Sequence, residues 1–325
     1  MARLRGRRAA SRLRAVQPGQ PQAASARATP WSRALRRRLR SACLAGLEWP
    51  LVPPAFVESA LCAVAPLARS SGPLRRVRAN LALVGASLGQ VDHERLERRV
   101  ARHAARQFAT WVRLSRSDGP TGARGAWLEA QVRRDASAAP ALVHLLAGRG
   151  GIVATAHLGD WEVLAAWLAR MGARGGVIGL ERPRDPTTAW LERLRAANGV
   201  RTWSHAAQPR ELVELLRGGG CLGVLNDLDT PRSAQLELEF LGQPAHSAKS
   251  PASLARLAGV PIWPLVCVVD GAGWAIHGAP AISVPSTAPK EDSVRSALLQ
   301  LARVQEGWVR RWPDQWAWHQ PRWRS

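Results

Sequence analysis

Residues 154–168, "ATAHLGDWEVLAAWL", carry an apolar strand into His157, then a Gly-Asp-Trp-Glu turn, then an apolar helix. A strand that hands over to a helix through a tight polar turn is the repeating unit of an α/β sheet. The surrounding chain repeats the pattern. Short β-rich runs at 151–156, 176–181, 199–203, 221–226 and 261–269 alternate with helical runs near 160–171, 187–197, 209–217 and 250–258. Apolar strands unbroken by polar alternation predict a largely parallel sheet covered on both faces. The run 273–282 is expected to add an antiparallel strand, and 291–312 a long closing helix. The fold class read from this is α/β, a mostly parallel mixed sheet flanked by helices.

Upstream the chain changes character. Residues 1–40 hold twelve Arg and no acidic residue, more than half of the net charge of +22, and are expected to be a disordered tail. Arg7–Arg8 is not followed promptly by an apolar core, which argues against an export signal. Residues 41–70 form an apolar segment, but Glu48, Glu58 and prolines 50, 53 and 54 interrupt it. A spanning helix needs about 20 mostly apolar residues. The segment is therefore expected to be a broken hairpin lying on a membrane surface. Residues 71–325 form the α/β domain in this reading, entered through an amphipathic helix over 91–114.

So basic a chain implies acidic partners, whether nucleic acid, anionic lipid or an acidic protein. Nucleic acid is disfavoured, because the charge is concentrated in a tail and no zinc spacing, basic zipper or aromatic-interleaved motif accompanies it. The four cysteines show no close pair and no metal-ligand spacing, so neither a disulfide framework nor a metal site is expected. The five tryptophans at 308, 312, 316, 318 and 323 fit a membrane interface or buried packing about equally well.

In open α/β sheets ligands gather beyond the carboxyl ends of the strands, which is where His157 falls. Asp160 is placed to cap the helix that Gly172 ends, and Glu162 would lie in its first turn. Residues five apart do not face each other on one helix. His157 and Glu162 can meet only if the His folds back from the loop. Such a pair would hold one imidazole tautomer and make a base that activates a substrate hydroxyl directly. From spacing alone, a structural hydrogen bond explains the pair more readily than a catalytic dyad does.

"HLGDWE" (157–162) resembles the His-x4-acid signature of the lysophospholipid acyltransferase superfamily. It is closer still to the form found in the bacterial lipid A biosynthesis acyltransferase family. Further blocks resemble that family in order: "ERPRDPTTAWLERLRAANG" (181–199), "GVLNDLDTPRS" (223–233), "EFLGQPAHSAKSPASLARLAGVPIWPLV" (239–266) and "RRWPDQWAWHQPRW" near the end. Asp160 departs from the family's commoner Asn, and "SAKSPA" lacks the usual Gly before Pro.

The resemblance implies a glycerol-phosphate-acyltransferase-like fold. It implies transfer of an acyl chain from an acyl carrier protein thioester, or from acyl-CoA, to a lipid A precursor or another glycolipid or lysophospholipid. No other cofactor is implied. His157 would be the general base and Glu162 its orienting partner, with the 3-hydroxyl of a chain already on the acceptor as nucleophile. Arg182 and Arg195 are the implied donors to the oxyanion, and Arg193 competes with Arg195 because the blocks align to within a residue or two. Asp227 and Asp229 are assigned positioning rather than proton transfer. The implied location is the cytoplasmic face of a bacterial inner membrane, with an anionic membrane surface as partner.

Overall fold

A computed structural model describes residues 38, 41–47, 49, 51–64, 72–89, 91–179, 185–229 and 234–323. Nearly all of the Arg-rich tail, together with Arg182, lies outside the described residues.

Residues 41–47 are helical, and a turn at 51–52 leads into α1 (Pro54–Val64). No described helix is long and apolar enough to cross a membrane. Helices α2 (Gly72–Val84) and α3 (His93–Ser115) follow. Asp92 starts α3 by accepting the Arg95 backbone N–H at 2.9 Å, a cap worth about 1 kcal/mol.

Next come α4 (Trp127–Gln131), β1 (Val132–Arg134), α5 (Ala139–Leu146), β2 (Gly151–Thr155), α6 (Trp161–Arg170), β3 (Gly175–Gly179), α7 (Pro186–Ala197), β4 (Arg201–Ser204), α8 (Pro209–Arg217) and β5 (Cys221–Leu225). The chain then forms β6 (Gln235–Phe240), β7 (Gln243–Ala248), α9 (Ser250–Ala258), β8 (Ile262–Asp270), β9 (Gly273–Gly278) and α10 (Lys290–Arg311).

Seven strands make one sheet in the order β1-β9-β8-β2-β5-β3-β4. The five from β8 to β4 are mutually parallel, and β9 joins β8 antiparallel, as the sequence predicts. Strand β1 pairs parallel to β9 and was not anticipated, because three residues give too short a pattern to read. The antiparallel hairpin β6–β7 stands apart from this sheet; it too escaped the sequence reading, since Gly242 and Pro244 punctuate the run.

Every residue of β2 is buried, and its side chains alternate between two cores. Val153 points toward α6, Leu142 and Trp274, while Ile152 and Ala154 pack with Leu212, Leu254 and Leu298 on the other face. This explains why the strand is apolar throughout. A third core lies past the end of β2, where Ala156 and Leu158 meet Phe240, Trp308, Trp316 and Trp318. These last three tryptophans are at most 8% exposed, so buried packing, not a membrane interface, accounts for them.

Candidate active site

Strands β2 and β5 are both five residues long and pair in register from Gly151↔Cys221 to Thr155↔Leu225. Two further residues on each chain bring His157 and Asp227 side by side, although 70 positions separate them. The His157 backbone N–H donates to Asp227 Oδ2 at 2.9 Å, and Nδ1 lies 2.8 Å from Oδ1. The Trp316 indole N–H donates to Oδ2 at 2.8 Å. Asp227 is fully buried, whereas the imidazole retains 21% exposure. Burial pushes the Asp227 carboxyl pKa up, but the His157 charge and these hydrogen bonds outweigh it and hold the group below its ordinary value. An ionised Asp227 accepts a proton-bearing Nδ1, which leaves Nε2 as the basic lone pair. No described hydrogen bond engages Nε2.

The loop carrying His157 is held from three sides. The Ala317 N–H donates to the His157 carbonyl at 2.8 Å, and the Gly159 N–H to the Gln315 carbonyl at 2.9 Å, so the C-terminal strap pairs with it. Gly159 has φ +68°, and a Cβ there would stand 2.0 Å from the Cys267 carbonyl oxygen of β8. Only glycine fits. The Gly159 carbonyl accepts from Gln107 of α3 at 2.6 Å and lies 3.3 Å from the His103 ring. Burial drops the His103 pKa to about 4, so this imidazole is neutral at pH 7. Beneath the loop, the Gln305 amide of α10 donates to the Thr155 carbonyl at 3.0 Å and to Asn226 at 2.9 Å, tying the ends of both strands together.

Glu162 corrects the sequence expectation. It lies in the first turn of α6, as predicted, but its carboxylate accepts from Arg195 Nε at 2.9 Å and Nη2 at 2.6 Å, and no described hydrogen bond joins it to His157. The helix start points Glu162 away from the loop and down towards α7, so the partner of His157 is Asp227. Arg195 spends Nε and Nη2 on this pair, with 12% of its side chain exposed against 2% for Glu162. Arg193 sits on the exposed side of α7, its guanidinium 3.4 Å from the Ala189 carbonyl. Asp229 accepts from the Gln235 side chain at 2.8 Å, and its backbone N–H donates to the Pro321 carbonyl at 3.1 Å. Its position is that of a staple between strap and hairpin.

Asp160 occupies the N-cap position of α6 without the expected side-chain cap. Its Oδ1 accepts the Trp111 indole N–H at 2.9 Å, while Oδ2 is buried with no partner among the described residues. Burial, opposed by the Trp111 bond and assisted by the Glu162 charge, raises its pKa to about 7. The predicted stop at Gly172 is present, with φ +92° and its N–H donating to Ala169.

A cavity opens between α6 and the sheet. Val153, Leu164, Leu168 and Val177 give it an apolar lining, and Glu162 and Arg195 are its charged members. Trp161 joins it to the loop: it lines the cavity and meets the His157 ring edge-on at 5.1 Å. On the other side, the strap brings His319 close enough for the His157 charge to lower its pKa, though burial is the larger cause. Trp316, Gln305 and His319 were not singled out from the sequence. The pairing of His157 with Asp227 did have a signal, since "GIVATAH" and "CLGVLND" each place a polar side chain at the seventh residue counted from the strand start.

Comparison with known proteins gives a match to the family described as bacterial lipid A biosynthesis acyltransferase over residues 29–325. Similar curated proteins are phosphatidylinositol mannoside acyltransferases. That of Mycobacterium tuberculosis is 27% identical over 147 residues, 44% of this chain and 46% of the relative. That of Mycolicibacterium smegmatis is 25% identical over 182 residues, 54% of this chain and 58% of the relative. The matches thus span about half the length of these relatives.

Proposed function

Because the chain belongs to the bacterial lipid A biosynthesis acyltransferase family, we propose that it is an O-acyltransferase that moves a fatty acyl chain from a thioester onto a hydroxyl of a membrane glycolipid. The observation that carries this reading is the partly exposed His157, anchored through Nδ1 on buried Asp227 with Nε2 left open. In the reaction, Nε2 takes the acceptor hydroxyl proton as its oxygen attacks the thioester carbonyl carbon. The charge that forms on the imidazole is balanced by Asp227. The tetrahedral adduct collapses with cleavage of the C–S bond, and the imidazolium returns its proton to the departing thiolate. No acyl-enzyme is needed. General-base assistance of this kind contributes about 10²–10⁴-fold.

The apolar cavity beside Trp161 suits the donor chain, whose carbonyl would then emerge next to His157. Arg195, bound to Glu162, supports the cavity wall in this scheme, and an oxyanion role for Arg182 stays a proposal. The donor is an acyl carrier protein or coenzyme A thioester, and the basic surface suits either acidic carrier. A lipid A precursor at the cytoplasmic face of the inner membrane is the first acceptor on the family's description. A phosphatidylinositol mannoside is the second, favoured by the names of the relatives.

The test is mass spectrometry of lipid A from a host lacking its late acyltransferases, expressing this chain or His157→Ala. One added acyl mass with the wild type alone supports lipid A as acceptor and His157 as base. No gain from well-expressed protein, with acylation of phosphatidylinositol mannosides in vitro, moves the assignment to the mannoside. A gain that survives His157→Ala overturns the mechanism.

A further inference from the structure

Away from the His157 loop, a cavity of ≈ 310 Å³ opens between α1, α3 and the turn joining β8 to β9. Its polar lining comprises Glu58, Arg106, Thr110, Arg113 and Gln131, with Trp274 beside them. Two guanidiniums stand over a tryptophan pair: Arg106 at 5.5 Å from the Trp274 ring centre, Arg113 at 4.2 Å from that of Trp127, with the two rings 5.2 Å apart. Such cation–π contacts restrain both guanidiniums in advance of binding. Arg106 gives one N–H to the Gly271 carbonyl at 3.0 Å and another to Gly273 at 3.4 Å. Arg113 has no hydrogen-bonding or carboxylate partner among the described residues, and burial lowers its pKa. Two guanidiniums and the Glu58 carboxylate leave a formal +1, which one phosphodiester balances.

We propose that this cleft binds the phosphodiester of a membrane phospholipid and so seats α1 on the bilayer. A lipid, as opposed to free phosphate, is favoured by what stands beside the cleft. Trp49, Leu51 and Phe56 are 61%, 81% and 65% exposed, and they bracket Pro54 and Ala55, which line the cavity. Apolar and aromatic side chains next to a phosphate site match the headgroup boundary of a bilayer. The site shares no lining residue with the cavity beside Trp161, so it stands or falls apart from the proposed reaction.

The full chain is sedimented with vesicles of phosphatidylcholine and phosphatidylglycerol, alongside Arg113→Gln, Glu58→Gln and a charge control at the exposed Arg303, Arg303→Gln. Arg113→Gln is expected to weaken binding about tenfold and Glu58→Gln to tighten it about threefold, with Arg303→Gln within about twofold of the wild type. Inorganic phosphate at constant ionic strength is expected not to displace the vesicles. Equal losses in Arg113→Gln and Arg303→Gln would mean general surface attraction and overturn the site. Displacement by inorganic phosphate would make it a free-phosphate site and overturn the lipid. Should Arg113→Gln fail to fold, as read by circular dichroism, Glu58→Gln decides alone, and unchanged or weaker binding overturns the proposal.

Discussion

Two buried carboxylates flank the same junction and have opposite assignments. Asp227, 70 residues from His157, bonds the imidazole, the loop backbone and an indole. Glu162, only five residues from His157, is taken up by Arg195. The neighbour in sequence braces the helix, and the neighbour across the sheet holds His157. A helix start and the loop before it diverge, so closeness along the chain gives little closeness in space. Parallel strands in register convert a distant residue into an adjacent one.

The sharpest way to break this comparison is Asp227→Asn. The amide oxygen can keep the bonds from the His157 N–H and Trp316, but the amide NH₂ then faces Nδ1 and drives the ring proton onto Nε2. The base is lost while the packing stays. Turnover is expected to fall about 10³–10⁴-fold with little change in substrate KM. A loss under about tenfold would return the orienting role to some other group.

Glu162→Gln probes the other carboxylate, and its main effect is on stability. It leaves a guanidinium only 12% exposed beside a neutral amide. Breaking a buried pair from one side costs about 3–5 kcal/mol. Adding Arg195→Met should restore much of that loss in chemical denaturation. The pH profile of the remaining activity is expected to match the wild type, because His157 keeps Asp227. A displaced profile would tie Glu162 to the imidazole after all.

How far the sequence reached follows the same division. The strands were readable because β2, β5 and β8 lie between two cores and must be apolar throughout. The place of His157 was readable, because it follows directly on an apolar strand that ends at Thr155. Its partner was misread because strand order cannot be seen in a pattern, and β2 pairs with β5 across an excursion through β3 and β4. Gln305 and Trp316 were beyond reach for a similar reason: they act from the C-terminal part of the chain on Thr155 and Asp227, 150 and 89 residues earlier.

Asp160 offers a third carboxyl to set against these two. With its pKa near 7 against an ordinary 3.8, it is protonated in the fold at mildly acidic pH and ionised when unfolded. A raised pKa adds stability that is complete below about pH 4 and is lost as pH rises through about 7. Asp160→Asn removes that dependence. The variant should match the wild type near pH 4 and exceed it at pH 8 by up to roughly 4 kcal/mol, the limit set by the shift. Thermal melts at the two pH values measure it, and a gain independent of pH would mean that burial does not hold the proton there.

Trp316→Phe makes the finest cut, since it touches the comparison through one hydrogen bond. The indole N–H shares Asp227 Oδ2 with the His157 backbone N–H, so its loss leaves that oxygen one donor and the carboxylate still ionised. A hydrogen bond to a charged group is worth about 1.5–3 kcal/mol, but only the part that depends on proton transfer at His157 enters turnover. We expect a loss of about 3–10-fold in turnover and an Asp227 pKa moved upward, since a donor that held it down has gone. Some stability is also lost, because Trp316 is only 2% exposed and Phe fills less of the third core. The two effects separate by pH: the packing loss is uniform, whereas the loss in turnover deepens as acid approaches the raised Asp227 pKa. A rate loss that stays flat with pH would assign Trp316 to packing alone and leave the carboxylate dependent on His157.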